Sequence, residues 1–386
     1  MSTKLSIKKE KIMVFFVPCL IFIFSVVASD LILWVFAPIS FSTEKVEIRF
    51  SQDLPGLKSS ILYQRGEYGL RSLSGVDDVK PKNLLRILCF GASTTIQPTQ
   101  ETPDTWCGLL EKKLLEHYRN YDLKLQTVAF GRGGMRASDN VIWIKKMFDK
   151  VEPDIVITLL GINDLAWNGG KGYKYQSVTE LFQKENKDTV KKKYCREYSQ
   201  ICRRVVRIKR ALKEKEKLKT GATVEWHSAN LPNLRKKYQN YPYVQNPIRN
   251  PDPIHEFRDA VSWLIKYFRK NEVSVILLGQ PVLWKESFLP SEFKRLWFPI
   301  NTPNGRVRPS GAWLKREMAK YNSVQEELAH SIDGVIYLGL DDKIPKSLDY
   351  YFDDCHYTDL GSRAVADHIL PVLIKVVNNF IFKKNI

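Results

Sequence analysis

A serine, a histidine and an aspartate in suitable order can move an acyl group, and this chain offers one such set. Ser93 stands in Phe90-Gly91-Ala92-Ser93-Thr94-Thr95, directly after the apolar run Leu84–Phe90. A serine hydroxyl is a weak nucleophile until a base takes its proton. Of the six histidines, His356 in Asp353-Asp354-Cys355-His356 is the best placed to be that base. Asp353 lies three residues earlier, which lets its carboxylate fold back on the imidazole, fix the tautomer and stabilise the imidazolium. Asp354 is the rival orienter, but a side chain at that spacing usually points away. A tetrahedral oxyanion needs donors beyond the Ser93 backbone N–H. Gly134, ending Gly131-Arg132-Gly133-Gly134, can bring a bare N–H close; Asn163, in Leu160-Gly161-Ile162-Asn163-Asp164, can donate its side-chain amide. Each also has an ordinary reading: Gly134 as a turn glycine, Asn163 as an Asx residue, His356 as a helix-start residue. Their joint occurrence, each near a strand end, favours the chemistry.

The elements that must position these residues follow from periodicity. Leu84–Phe90 is a short apolar run bounded by glycine, as in a strand covered on both faces. Gly91 allows a sharp bend, so that Ser93 projects at the carboxyl end of that strand, where open α/β sheets place ligands. Further strands are expected at Leu123–Phe130, Asp154–Leu160, Val273–Leu278 and Val335–Leu338. Between them run helical patterns at Asp104–Tyr118, Ala137–Lys150, Ile254–Lys270 and Ala312–His330, and a last helix starts near Thr358 and runs through Leu373. Such alternation predicts a five-stranded parallel sheet with helices on both faces.

The chain has 386 residues, 44% hydrophobic, enough for a large core. Its formal charge is +18, and residues 171–219 hold seventeen Lys/Arg against six Asp/Glu. Residues 1–12 form a basic tail with Lys4, Lys8, Lys9 and Lys11. Residues 13–37 are apolar except for Ser25, Ser29 and Asp30, which predicts an N-terminal transmembrane helix with the following chain outside the cytoplasm, on the periplasmic or extracellular side. A cleaved signal peptide ending near Val26-Val27-Ala28 is the competing expectation. Residues 38–82 read as a stalk and lead-in, with a strand over 46–50, and 83–383 as the main domain, interrupted by an insertion over about 165–253. That insertion carries the basic run Arg196–Lys219 at the sheet's carboxyl edge, where lids and substrate-selecting elements often sit. Nucleic acid is not an expected partner, since no binding motif is present; an anionic membrane surface or polyanionic glycan fits better. The six cysteines show no metal-ligand spacing, so no metal site is expected; Cys107, Cys195, Cys202 and Cys355 are the ones available for pairing, although one continuous helix through Cys195 and Cys202 would hold those two apart.

Together these blocks resemble the SGNH (GDSL-type) hydrolases, whose signature residues are Ser, Gly, Asn and His in that order. Ala92 takes the place of the aspartate in the family name, a departure common among membrane-anchored bacterial members. The block around Asn163 and the one from Asp353 through Tyr357-Thr358-Asp359 to Gly361 match closely. The second block departs, with Ala129-Phe130-Gly131 for the usual Asn-Ala-Gly; spacing favours Gly134 as donor over Gly131 and Gly133. The resemblance implies a three-layer α/β/α flavodoxin-like sandwich and cofactor-free hydrolysis of a carboxylic ester on a glycan or lipid through an acyl-serine. An O-acyltransferase for cell-surface polysaccharide using the same serine, or a non-catalytic glycan-binding or assembly protein on the same scaffold, are the alternatives. Arg132 and Arg136 flank the second-block glycines and Trp167 follows Asn163, so these three are the candidates for substrate binding, with the ester on an anionic carrier.

Overall fold

The computed structural model describes residues 2–36, 44–49, 56–58, 60–65, 69–74, 80–81, 83–183, 201, 204–205, 208, 231–249 and 252–384. Compactness divides the chain into one unit of residues 1–41 with 184–222, and a second of 42–183 with 223–386. Most of the basic run Arg196–Lys219, together with Cys195 and Cys202, lies outside the described residues.

The second unit is built on five parallel strands: β3 (Leu84–Gly91), β4 (Lys124–Phe130), β5 (Ile155–Leu159), β7 (Ser274–Gly279) and β10 (Val335–Gly339), in the order β10-β7-β5-β3-β4. From Leu85 to Gly91 every residue of β3 is buried, as is all of β5, which is why both read as near-continuous apolar runs. The order reverses at β3, so the crevice at its carboxyl end is the topological switch point of a doubly wound sheet. Register aligns the strand ends there: Phe90 pairs with Phe130, Gly91 with Leu159, and Leu159 with Leu278. The turns carrying Ser93, Gly134 and Asn163 therefore leave one edge side by side.

Helix α3 (Trp106–His117) packs against α10 (Asp359–Lys384). Helices α4 (Ala137–Val151), α7 (Ile254–Lys270) and α9 (Gly311–Ser331) form a second packed group. In α7, Phe257, Ala260, Val261, Leu264, Ile265 and Phe268 recur at helical spacing and are buried. Among the described residues, only the stretch Asp359–Phe382 of α10 is long and apolar enough to cross a membrane. Its Val365, Ala366, Ile369, Leu373 and Val377 are buried along one face, as expected of a helix covering a sheet.

Several shorter elements escaped the periodicity reading. Helix α2 (Ser93–Ile96) starts on the nucleophile candidate itself, α5 (Ile162–Trp167) on the turn with Asn163, and α6 (Leu231–Gln239) and α8 (Pro290–Phe293) follow. The expected strand near 46–50 is β1 (Glu44–Arg49), paired antiparallel with an unanticipated β2 (Ser60–Arg65). A separate small sheet joins β6 (Tyr243–Val244), β8 (Ile300–Thr302) and β9 (Gly305–Pro309). Gly91 needs correction in its reason. Its φ is not positive; instead a Cβ there would lie 2.3 Å from the Leu159 carbonyl oxygen, so close packing on β5 is what demands glycine.

The first unit contains α1 (Ser2–Phe36), a helix that includes Pro18. Its described apolar stretch, Pro18–Leu33, exposes Leu20, Ile21, Phe22, Ile23 and Phe24. The side chains of residues 1–17 and position 37 lie outside the described residues, so the expected 13–37 span is seen only in part. Cys107 and Cys355 are free, buried thiols, and Cys107 contacts Cys89, so neither is paired as the sequence allowed.

Candidate active site

At the carboxyl edge of the sheet, Ser93 Oγ lies 2.8 Å from His356 Nε2. His356 Nδ1 lies 2.8 Å from Asp353 Oδ2 and 3.0 Å from Oδ1. A carboxylate only accepts, so Nδ1 carries the proton and Nε2 is left to accept from the serine hydroxyl. Asp353 is fixed from several sides. Its Oδ1 accepts the backbone N–H groups of Cys355 at 3.0 Å and His356 at 2.9 Å, and its Oδ2 accepts Trp297 Nε1–H at 2.8 Å. The short turn 353–356 thus folds back on itself, and the imidazole lies parallel to the rings of Trp297 and Phe352.

Electrostatics follows from this packing. Burial works to raise the Asp353 pKa, but the facing His356 and the donated hydrogen bonds outweigh it and hold the carboxyl below its ordinary value. Burial works to lower the His356 pKa, and the Asp353 carboxylate outweighs it, leaving the imidazole above its ordinary value. Asp354 points away, as its spacing suggested: it accepts Trp284 Nε1–H at 2.9 Å and Trp297 N–H at 2.8 Å. Burial and the neighbouring Asp353 push it up to about 7. Asp353, Cys355 and His356 also bring potential metal-ligand atoms within 4.8 Å of one another. Coordination would have to break the bonds just described, so these residues do not fit a metal.

The other side of the site is clasped by two bonds between strand ends. Asn163 Nδ2 donates to Met135 O at 2.9 Å, leaving its second amide hydrogen unassigned, and Asn163 Oδ1 accepts Trp167 Nε1–H at 3.1 Å. Both Asp164 oxygens accept the Ala137 N–H, at 3.0 and 3.2 Å, at the start of α4. Burial pushes Asp164 up to about 7. Gly134 has φ +79° in the turn closed by Met135 N–H donating to Arg132 O at 3.2 Å. A Cβ on Gly134 would meet open space, so its glycine is required by the turn. The close approach belongs to Gly131, where a Cβ would lie 2.3 Å from the Ala92 carbonyl oxygen.

Arg132 is exposed on that turn. Arg136 is half-buried; it donates to Asn168 Oδ1 at 2.9 Å and lies 3.4 Å from Asp139 and 3.6 Å from Glu256. Arg136 and Trp167 both line a cleft of about 350 Å³, whose lining does not include Arg132. Two further contributors carried no periodic signal. Trp297 sits in an aromatic loop. Arg71, in the lead-in, is 2% exposed and donates to Ile96 O, to Gln97 O at 2.9 Å and to Gln100 O at 2.7 Å, tying down the segment after α2.

No family model and no curated protein matches this sequence. Among solved structures, the acetyl xylan esterase AlAXEase is similar at 14% identity and TM-score 0.38, over 75% of this chain and 99% of its own. Axe2, an acetylxylan esterase from Geobacillus stearothermophilus, is similar at 13% identity and TM-score 0.38, over 74% and 93%. The psychrotrophic esterase EstA from Pseudoalteromonas sp. is similar at 10% identity and TM-score 0.37, over 76% and 98%. These are distant likenesses to esterases, and the chemistry rests on the side-chain geometry.

Proposed function

We propose that the chain is a carboxylic ester hydrolase of the SGNH type, acting on an acyl or acetyl ester of a glycan or lipid. The single observation that carries this reading is the unbroken relay from Asp353 through His356 to Ser93 Oγ, with both links at 2.8 Å. In this reading Ser93 Oγ attacks the ester carbonyl as its proton passes to His356 Nε2. The new C–O bond places negative charge on the former carbonyl oxygen, which the Ser93 and Gly134 N–H groups and the free Asn163 amide hydrogen stabilise. Collapse breaks the bond to the alcohol, which leaves with the proton from His356. Water, deprotonated by the same imidazole, then attacks the acyl-serine and releases the acid, restoring Ser93. Asp353 stabilises the imidazolium at each transfer and stays ionised.

Hydrolysis of p-nitrophenyl acetate by the full-length protein tests this. Ser93→Ala and His356→Ala should each lower the rate by about three or more orders of magnitude, since either removes the acylation unit. Near-normal turnover by Ser93→Ala would end the proposal. Acetyl transfer to an added glycan, outrunning release of acetate, would instead favour the acyltransferase.

We further propose that α1 holds the protein in a membrane with the hydrolase unit outside the cytoplasm. Its support is the basic start and the exposed apolar side chains of Leu20–Phe24, Leu31, Ile32, Val35 and Phe36. Release of intact protein from membranes by alkaline carbonate would overturn it.

A further inference from the structure

The cleft of about 350 Å³ that Arg136 and Trp167 share opens between the glycine-rich turn after α5 and the β8–β9 hairpin. Its lining is joined to the proposed catalytic machinery through Trp167. The same Trp167 whose indole N–H bonds Asn163 Oδ1 is held by Asn301, whose Nδ2 donates to the Trp167 carbonyl at 2.8 Å. Above that indole lies Arg306, its guanidinium carbon 5.4 Å from the ring centroid and its Nε 3.3 Å from Asn301 Oδ1. The guanidinium is therefore oriented while its two terminal nitrogens stay available for a fork of two parallel bonds to one anion.

The charge balance is one-sided. Lys171, Arg136 and Arg306 line the cleft, and no carboxylate does. Arg136 is largely answered by Asp139 and Glu256, but Lys171 and Arg306 have no acidic partner among the described residues. Asn168, 1% exposed, forms part of the wall; its Oδ1 is taken by Arg136, and its Nδ2 finds no acceptor among the described residues. Open space lies above Gly172 and Gly305, where a Cβ would meet nothing within 4 Å. The lining is thus cationic, polar and glycine-rich around one half-buried indole. It suits a sugar ring bearing an anionic group, and it lacks the apolar walls an acyl chain needs.

We propose that this cleft binds a carboxylate or phosphate on the saccharide that carries the ester, with Arg306 and Lys171 as its principal partners. The proposal rests on the ester-hydrolase reading of the adjoining site and names the class of its alcohol. It also reassigns the anion contact from Arg132, which lies outside the cleft lining, to a hairpin far away in sequence.

Calorimetric titration of full-length Ser93→Ala protein in detergent, with trigalacturonate and with xylotriose, tests it. Binding is read there without turnover, so the result stands apart from hydrolysis of p-nitrophenyl acetate by the wild type. Trigalacturonate should bind about tenfold or more tightly than xylotriose, and its affinity should fall as salt rises from about 50 to about 300 mM. Arg306→Gln together with Lys171→Gln should weaken trigalacturonate about tenfold without lowering the thermal midpoint, and Arg306→Lys should keep part of the affinity. Equal affinity for the two saccharides, or indifference to the paired substitution, would overturn the proposal. Uptake of phosphatidylglycerol vesicles through Arg306 and Lys171 with neither saccharide bound would overturn the saccharide assignment.

Discussion

Trp297 donates its indole N–H to Asp353 Oδ2 at 2.8 Å while its ring lies within 4° of parallel to the His356 imidazole. One side chain therefore fixes both the direction of the carboxylate and the plane of the ring that the carboxylate orients. Its own backbone is tied in turn, through the N–H that Asp354 accepts. Trp297→Phe keeps an aromatic ring and the backbone bond, and removes the donor together with part of the ring's volume. A hydrogen bond to a charged group contributes about 1.5–3 kcal/mol, so kcat should fall about ten- to hundredfold with KM little changed. As a positioning residue, Trp297 should also move the acid limb of the pH profile when replaced. An unchanged kcat and an unchanged limb would remove it from the machinery.

A second prediction concerns the pH profile, whose sign follows from burial and the Asp353 carboxylate acting on His356 in opposite directions. The base works only when neutral, so activity is lost as pH falls through its pKa. Asp353 outweighs burial and holds that pKa above the ordinary value of about 6.5. The acid limb of kcat/KM should accordingly have its midpoint above about 6.5. Asp353→Asn removes the charge and leaves only the lesser pull of Asp354 against burial, so the limb should shift downward while the rate drops about 10⁴-fold through the wrong tautomer. A limb that moves upward in this variant would contradict the electrostatic account.

Glycines 131 and 134 should separate by mechanism. Gly131→Ala places a Cβ against the Ala92 backbone oxygen, next to Ser93, and neither strand end can yield cheaply. Gly134→Ala meets open space and carries only the strain of φ +79°, about 1–2 kcal/mol. Denaturant unfolding should find the first far less stable, with esterase activity lost, and the second folded with a modest deficit. The reverse order would mean that Gly134, rather than Gly131, makes the close approach.

The parallel sheet was legible because β3 and β5 are buried on both faces, and burial leaves a near-continuous apolar run in the sequence, broken only by Arg86 in β3 and Thr158 in β5. Ser93, Asn163 and Asp353–His356 were legible because each follows such a run or falls in a short turn whose geometry is local. Trp297 was not. Its partner Asp353 is 56 positions away, and a tryptophan in an irregular loop reads as core. Arg306, which lines the cleft, gave no signal either, since the β8–β9 hairpin is too short to announce itself by alternation. Arg132 adjoins the second-block glycines along the chain, but the turn that gives Gly134 its positive φ leaves that side chain exposed. Gly91 was right as a residue and wrong as a reason, because crowding against a neighbouring strand leaves no trace in a single segment.

Arg71 supplies the last prediction, and it concerns how the lead-in stabilises the site. Its backbone pairs with Ala129 on the outer edge of β4, with N···O distances of 2.8 and 2.7 Å, so the edge strand is covered there. Its guanidinium then reaches the carbonyls of Ile96, Gln97 and Gln100. This is the segment where α2 ends on Gln97, a non-glycine residue at φ 43° whose N–H returns to the Ser93 carbonyl at 2.9 Å. A left-handed backbone of this kind persists only where the surroundings over-determine it, and Arg71 is one of those constraints. Arg71→Met keeps the volume and strands three carbonyl acceptors, each costing about 1–3 kcal/mol less whatever water recovers. Unfolding in urea should show a loss of about 3 kcal/mol or more, with kcat reduced in the protein that remains folded. Arg71→Lys should recover little of either, because a single ammonium cannot span the three acceptors that the planar fork reaches together. Full recovery by lysine would show that charge alone, rather than the geometry of the fork, holds the turn that presents Ser93.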